Sequence, residues 1–187
     1  GDRLTLRDAL YSTLLGSDNV SALTVASFVG RDLVSRRGGG APIAAFVAEM
    51  NNLARSLRMA KTHFTAPHGL DAGNSVSTSC ALDMALLGVY SMQNPAFCYI
   101  VSQASRRIEV QSQTKGRTMY DISNNNRLMS ASGVDGIKAG TSRAAGPCLL
   151  LSVTRNAISR RSPQTGTEVI YPQRMIIAVL GSASRYS

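Results

Sequence analysis

Up to about residue 106 the apolar residues of this 187-residue chain recur at helical spacing, and from Arg107 onward they alternate or run together. This change of period constrains the fold most, because one element cannot present both a helical stripe and a strand pattern. Leu6, Leu10 and Leu14, with Ala9 and Thr13, share one face of a first helix that stops at Gly16. Asn19 or Asp18 is a suitable N-cap for a second helix, whose apolar positions include Val20, Leu23, Ala26 and Phe28. Pro42 suits the first position of a third. There Ile43, Phe46, Val47, Met50, Leu53 or Ala54, and Leu57 form the clearest amphipathic stripe in the chain. The stretch THFTAPHGLDAGNSVS is loop-like. A fourth helix follows Thr78 through CALDMALLGVYSMQ and ends before Pro95.

Beyond Arg107 the pattern is that of strands. Ile108, Val110 and Ser112 alternate with Glu109 and Gln111, and CLLLSVTR and MIIAVLG read as buried strands. Helices first and strands later predict an α+β chain, with residues 1–106 mainly helical and 107–187 forming the sheet part of the same domain.

Composition narrows the function. The formal charge is +9, yet only Lys61, Lys115 and Lys138 are lysines, so arginine carries nearly all of it. Aromatic residues make up 5% and do not interleave with the arginine pairs, which removes the stacking platforms of single-strand nucleic-acid binders. No nucleic-acid partner is expected; an anionic cell-wall or membrane-surface setting suits the charge better. Cys80, Cys98 and Cys148 are odd in number and sit in apolar contexts, so they read as small core residues. No cluster has metal-ligand spacing, and no cofactor or metal is expected.

Three local signals remain. Ser17-Asp18-Asn19 interrupts two helical stretches, which for an isolated S-x-N is ordinary capping. GVDGIKAGTS, Gly133 to Ser142, sets a lysine among small residues on a strand, as where a backbone is closely approached. FVAEMNNLARSLRMAKTHFTAPHGLD is long enough to be specific.

Together with RDALYSTLLGSDNVSALTVASFVG, STSCALDMALLG, NNNRLMSASGVDGIKAGTS and MIIAVLG, in this order, these stretches resemble the serine D-alanyl-D-alanine carboxypeptidases, the low-molecular-mass penicillin-binding proteins. The resemblance covers nearly the whole chain. It implies a penicillin-binding protein/β-lactamase-like fold, an antiparallel sheet packed with helices plus a helical subdomain, incomplete at both ends here. It also implies a location in the cell envelope. The activity implied is acyl transfer: a serine attacks the D-Ala-D-Ala carbonyl of a peptidoglycan stem peptide, the terminal D-alanine leaves, and water resolves the acyl-enzyme. β-Lactam antibiotics are the covalent inhibitors the resemblance implies.

By position, the resemblance makes Ser17 a proton relay, Asn19 a hydrogen-bonding partner of the substrate amide, and Lys138 the positive charge beside Ser17 and the substrate carboxylate. Gly140 lets the substrate backbone lie against the strand, and the Thr141 N–H donates to the oxyanion.

Two departures stand out. The family's third motif carries a middle hydroxyl that helps hold the substrate carboxylate; here Ala139 stands in its place, and Thr141 or Ser142 is expected to substitute. The family's nucleophile and its lysine precede S-x-N by several dozen residues, more than the sixteen residues before Ser17. The nucleophile is therefore expected outside this chain, which is a fragment or is completed by a second polypeptide. One S-x-x-K, Ser112 to Lys115, lies in a strand pattern where serine and lysine diverge, and is read as coincidence.

His63 and His68 read as structural, and Asp71 and Asp135 as turn and strand-entry residues. Arg127 reads as a solvated side chain. The stretch NAISRRSPQTGTEVIYPQ looks like an insertion forming an exposed hairpin loop. EMNNL at Glu49 to Leu53 has the wrong order for the water-activating E-x-x-L-N of a class A β-lactamase. A non-catalytic module that binds peptidoglycan or a partner is the rival reading, favoured by Ala139.

Overall fold

A computed structural model describes residues 1–70 and 76–184. Asp71 lies outside the described residues, so its expected turn role has no structural counterpart here. The element order is β1 (Arg3–Leu4), α1 (Leu6–Leu14), α2 (Asn19–Arg37), α3 (Pro42–Ser56), α4 (Ala81–Ser91), α5 (Pro95–Val101), β2 (Ser105–Ser112), β3 (Gly116–Ser123), a 3₁₀ turn (Arg127–Ser130), β4 (Val134–Ser142), β5 (Gly146–Arg161) and β6 (Glu168–Val179).

The strands form two antiparallel sheets, β1-β2-β3 and β4-β5-β6. The α1 helix starts where the Thr5 hydroxyl accepts the Asp8 N–H at 3.0 Å. It buries Tyr11 and, just past its end, Leu15 against Ile108 of the first sheet. Val101 and Met92, from the α4–α5 region, pack on Ile137 of the second sheet. At Gly88 of α4, a Cβ would stand 2.8 Å from the Ile176 side chain, so a small residue sets how closely the helix lies on the sheet.

The second helix differs from expectation. Its buried positions are Ser21, Ala22, Ala26 and Gly30, while Val20 and Phe28 are exposed. Small residues at i, i+4 and i+8 admit a close neighbour that larger ones would hold off. At Gly30 a Cβ would lie 2.0 Å from the Pro42 carbonyl oxygen, which is where α3 begins. A stripe chosen by hydrophobicity alone therefore selects the wrong face.

Two further differences concern boundaries. Pro95 does not merely end a helix; Asn94 accepts from the Ala96 and Phe97 N–H groups and Pro95 opens α5. The stretch from Asn156 to Gln173 is not a loop. Strands β5 and β6 run on through it as a ribbon turned by Ser162 to Thr167. Pro172 has no N–H to give the ladder, and the register shifts opposite it, between Arg155 and Ile158.

The long connection between α3 and α4 is tied down at its base. The buried Asp83 carboxylate accepts from the Lys61 N–H and the Thr62 hydroxyl, both at 2.8 Å. Asn51 exchanges two bonds of 2.8 Å with the Phe64 backbone, and His63 bridges Thr78. Burial pushes the Asp83 carboxyl upward, but the Thr62 and Lys61 bonds outweigh it and hold its pKa below the ordinary value. A lowered folded pKa stabilises the fold fully above the unfolded value of about 3.9, and that contribution is lost as pH falls through the folded value. We predict that Asp83→Asn flattens the acid limb of a stability-versus-pH curve and lowers stability at neutral pH. An acid limb identical to that of the parent chain contradicts this.

Candidate active site

The junction between α1 and α2 supplies one wall of a cleft. The chain turns there because Ser17 adopts φ 59°, a left-handed conformation that costs a non-glycine residue on the order of 1–2 kcal/mol. Several bonds hold it. The Asp18 N–H donates to the Ser12 carbonyl at 3.2 Å, and the Asp18 carboxylate accepts the Ser21 N–H at 2.7 Å, capping α2. From a distant part of the chain, Asn125 donates its backbone N–H to Leu15 O at 3.0 Å and its side-chain N–H to Gly16 O at 2.9 Å.

Strand β4 supplies the opposite wall. Among the described residues it is an edge strand, paired only with β5. Lys138 Nζ donates to Ser17 Oγ and to the Ala139 carbonyl oxygen. The Ser17 hydroxyl in turn donates to the same carbonyl at 3.3 Å. Three polar groups therefore close a small ring across a sequence separation of about 120 residues.

The cleft has a volume of about 370 Å³. Ser17, Asn19, Lys138, Gly140, Thr141 and Ser142, all singled out from the sequence, line it together. The methyl of Ala139 is buried with Leu149 and Leu151, while its carbonyl serves the cleft. Thr141 is exposed on the cleft wall, whereas Ser142 accepts the Ala145 N–H at 3.0 Å and so closes the β4–β5 turn.

The residues set aside from the sequence fall as follows. His68 lines the cleft with Pro67, Gly69 and Leu70, and its Nδ1 accepts the Leu70 N–H at 3.1 Å within its own turn. Asp135 accepts from Thr154 and Arg174 at 2.8 Å, a strand-entry clasp. Arg127 is exposed at the start of the 3₁₀ turn and does not line the cleft. Ser112 ends β2, its hydroxyl meets Thr114 within the β2–β3 turn, and it belongs to the other sheet from β4 and does not line the cleft. Glu49 pairs with Arg37 at 2.7 Å and does not reach the cleft. That bond is also the main cause of its lowered pKa. Cys148, expected in the core, lines the cleft opposite Gly140.

The sequence assigns no place in the cleft to Pro67–Leu70 and no role to Asn125, although both lie in stretches that carry the resemblance; long-range contacts set their positions, and the side chains of Asn124, Asn125 and Asn126 bond backbone groups of three different segments. Among the described residues no group of three or more His, Cys, Asp or Glu is placed to hold a metal, and no helix is long and apolar enough to cross a membrane.

A helical half facing an antiparallel sheet, with S-x-N at a helix junction and a lysine on the edge strand, defines a penicillin-binding protein/β-lactamase-like fold. Within that class the chain belongs to the D-alanyl-D-alanine carboxypeptidase family, whose model matches residues 1–162. A D-alanyl-D-alanine carboxypeptidase of a Streptomyces strain is 30% identical over 157 residues, which is 83% of this chain and 52% of the relative. An Escherichia coli D-alanyl-D-alanine carboxypeptidase is 30% identical over 154 residues, 81% of this chain and 34% of the relative. Among solved structures, a mutant Streptomyces DD-transpeptidase aligns with a TM-score of 0.76 at 27% identity, covering 99% of this chain and 64% of that one. A penicillin-binding protein homologue from Mycobacterium tuberculosis aligns at 0.72 and 28%, covering 94% and 56%. The chain thus spans about half the length, or less, of the curated relatives it matches.

The left-handed turn makes a stability prediction that separates backbone from side chain. Ser17→Ala keeps the conformational cost and loses both hydroxyl bonds, whereas Ser17→Gly loses the bonds but removes the cost. In urea unfolding, alanine is expected to be the less stable by about 1–2 kcal/mol. Equal stabilities would mean that residue 17 is not held left-handed in solution.

Proposed function

We propose that this chain forms the S-x-N and lysine-strand walls of a serine D-alanyl-D-alanine peptidase, which removes the terminal D-alanine of peptidoglycan stem peptides through an acyl-enzyme. The observation that carries the reading is the contact of Lys138 with Ser17 and the Ala139 carbonyl. A lysine against a serine hydroxyl, in a partly dry cleft, gives that hydroxyl a route to pass a proton toward a leaving amine. The same ammonium attracts the C-terminal carboxylate of the substrate, worth more there than in water. Residues 1–106 bring Ser17 and Asn19 to the cleft, and residues 107–187 bring Lys138, Gly140 and Thr141, as two parts of one transpeptidase-like domain.

In this reading Asn19 binds the substrate amide. Gly140, which has no side chain to obstruct it, lets the substrate backbone lie along the β4 edge. The Thr141 N–H donates to the developing oxyanion, and its hydroxyl takes over the carboxylate contact that Ala139 cannot make. The nucleophilic serine comes from outside residues 1–187, on a helix of the parent protein or on a second polypeptide. β-Lactams acylate that serine, and the setting is the cell envelope, where the substrate is.

The test is release of D-alanine from a diacylated Lys-D-Ala-D-Ala peptide by the parent protein. Lys138→Ala is expected to lower kcat/KM by about a hundredfold or more, the scale of losing one preorganised electrostatic contact. Unchanged turnover would reject the role. Thr141→Val is expected to raise KM, and no effect would remove Thr141 from carboxylate binding. Fluorescent penicillin on a denaturing gel then locates the nucleophile: label on a separate polypeptide identifies a nicked or two-chain enzyme. The lack of a hydroxyl at Ala139 favours a second reading, a non-catalytic module that binds peptidoglycan or a partner. Peptide binding without D-alanine release or penicillin label would select it.

A further inference from the structure

The β5–β6 ribbon has no role in the cleft. Pairing of β5 with β4 stops at Val153, but β5 and β6 remain paired from Arg155 with Gln173 out to Arg161 with Glu168. An isolated two-stranded ribbon is only marginally stable in water. The apolar side chains here are nevertheless exposed: Ile158 by 43%, Val169 by 37%, Ile170 by 69% and Tyr171 by 47%.

Directly paired residues share a face, so Ile158, Tyr171 and Val169 lie on one face with Arg160, and Ile170 lies on the other with Arg161. Apolar groups thus leave both faces of the ribbon. A flat protein surface would cover only one. From Arg155 to Arg174 the charged residues are Arg155, Arg160, Arg161, Arg174 and the single Glu168. Arg174 is committed to Asp135, which leaves Arg155, Arg160 and Arg161 exposed at the protruding end. Pairing two such ribbons edge to edge would bring like charges together, which argues against a second copy as the occupant.

We propose that the β5–β6 ribbon, residues 155–174, docks on an anionic phospholipid bilayer, its arginines at the phosphate headgroups and Ile158, Val169, Ile170 and Tyr171 at the boundary beneath them. The depth is limited. The outer edges of a two-stranded ribbon carry backbone groups that need hydrogen bonds, so the ribbon lies at the interface and does not enter the hydrocarbon. An aromatic hydroxyl such as that of Tyr171 suits that level. The proposal is independent of the peptidase reading, since it uses none of the cleft residues.

The test is flotation of the 187-residue chain with vesicles of phosphatidylglycerol mixed with phosphatidylcholine, against vesicles of phosphatidylcholine alone. Binding is expected to the anionic vesicles and to fall with added salt. The double variant Arg160→Glu/Arg161→Glu is expected to lose at least about tenfold in binding, since each basic residue near such a surface is worth about 1 kcal/mol. Ile170→Ser/Tyr171→Ser is expected to lose affinity while keeping salt dependence. The chain has no tryptophan, so Tyr171→Trp gives a single reporter whose emission shifts to the blue on binding if the ribbon enters the interface. Circular dichroism of each variant guards against a folding defect. Absence of binding, equal binding to neutral vesicles, or binding that the ribbon variants and the tryptophan do not sense would each overturn the proposal. Ribbon-dependent self-association without lipid binding would overturn it in favour of a second copy.

Discussion

The cleft depends on one polar ring: Lys138 to Ser17, Ser17 to the Ala139 carbonyl, and Lys138 to the same oxygen. It joins the junction of two helices to the edge of a sheet. Each member costs something alone, a left-handed serine and a partly desolvated ammonium. Each also satisfies the other. A charge taken out of water needs acceptors, and here a hydroxyl and an edge-strand carbonyl provide them. The carbonyl is available because, among the described residues, β4 pairs with β5 alone.

The surrounding fold holds that ring in place. Asp18 caps α2 and fixes the turn from one side, and Asn125 holds Leu15 and Gly16 from the other. Asn126, buried, reaches the Gly136 carbonyl at the start of the lysine strand, and Asn124 reaches Val101 and Gln103. Three consecutive asparagines therefore tie the helix junction, the lysine strand and the end of α5 to one another. The Asp83 and Asn51 bonds do the same for the segment that brings Pro67 to Leu70 over the cleft.

What could be read from the sequence was local. Pro42 at a helix start, Asp18 at a cap and the alternation at Ile108 are decided within a few residues, and the sequence pattern suffices for them. The candidate site residues are legible only through the order of several motifs along the chain; Ser17-Asp18-Asn19 alone reads as a cap, and Asp18 is indeed one. What was not legible depends on partners far away. The inward face of α2 is its small residues because α3 approaches at Gly30. Asn125 matters because of a loop more than a hundred residues earlier. From the sequence the ribbon reads as a loop, because its Pro, Gly and Arg content hides the pairing of Ile158 with Tyr171 and of Arg160 with Val169.

The most direct test of this account is a double-mutant cycle in urea unfolding, with Ser17→Gly, Lys138→Met and the pair. Glycine removes the hydroxyl without adding conformational cost, so the cycle isolates the link between helix junction and strand. The account predicts a coupling of about 1 kcal/mol or more, the scale of a hydrogen bond to a charged group. Additive effects, with no coupling beyond error, would mean that the two walls are not joined through Ser17 and Lys138.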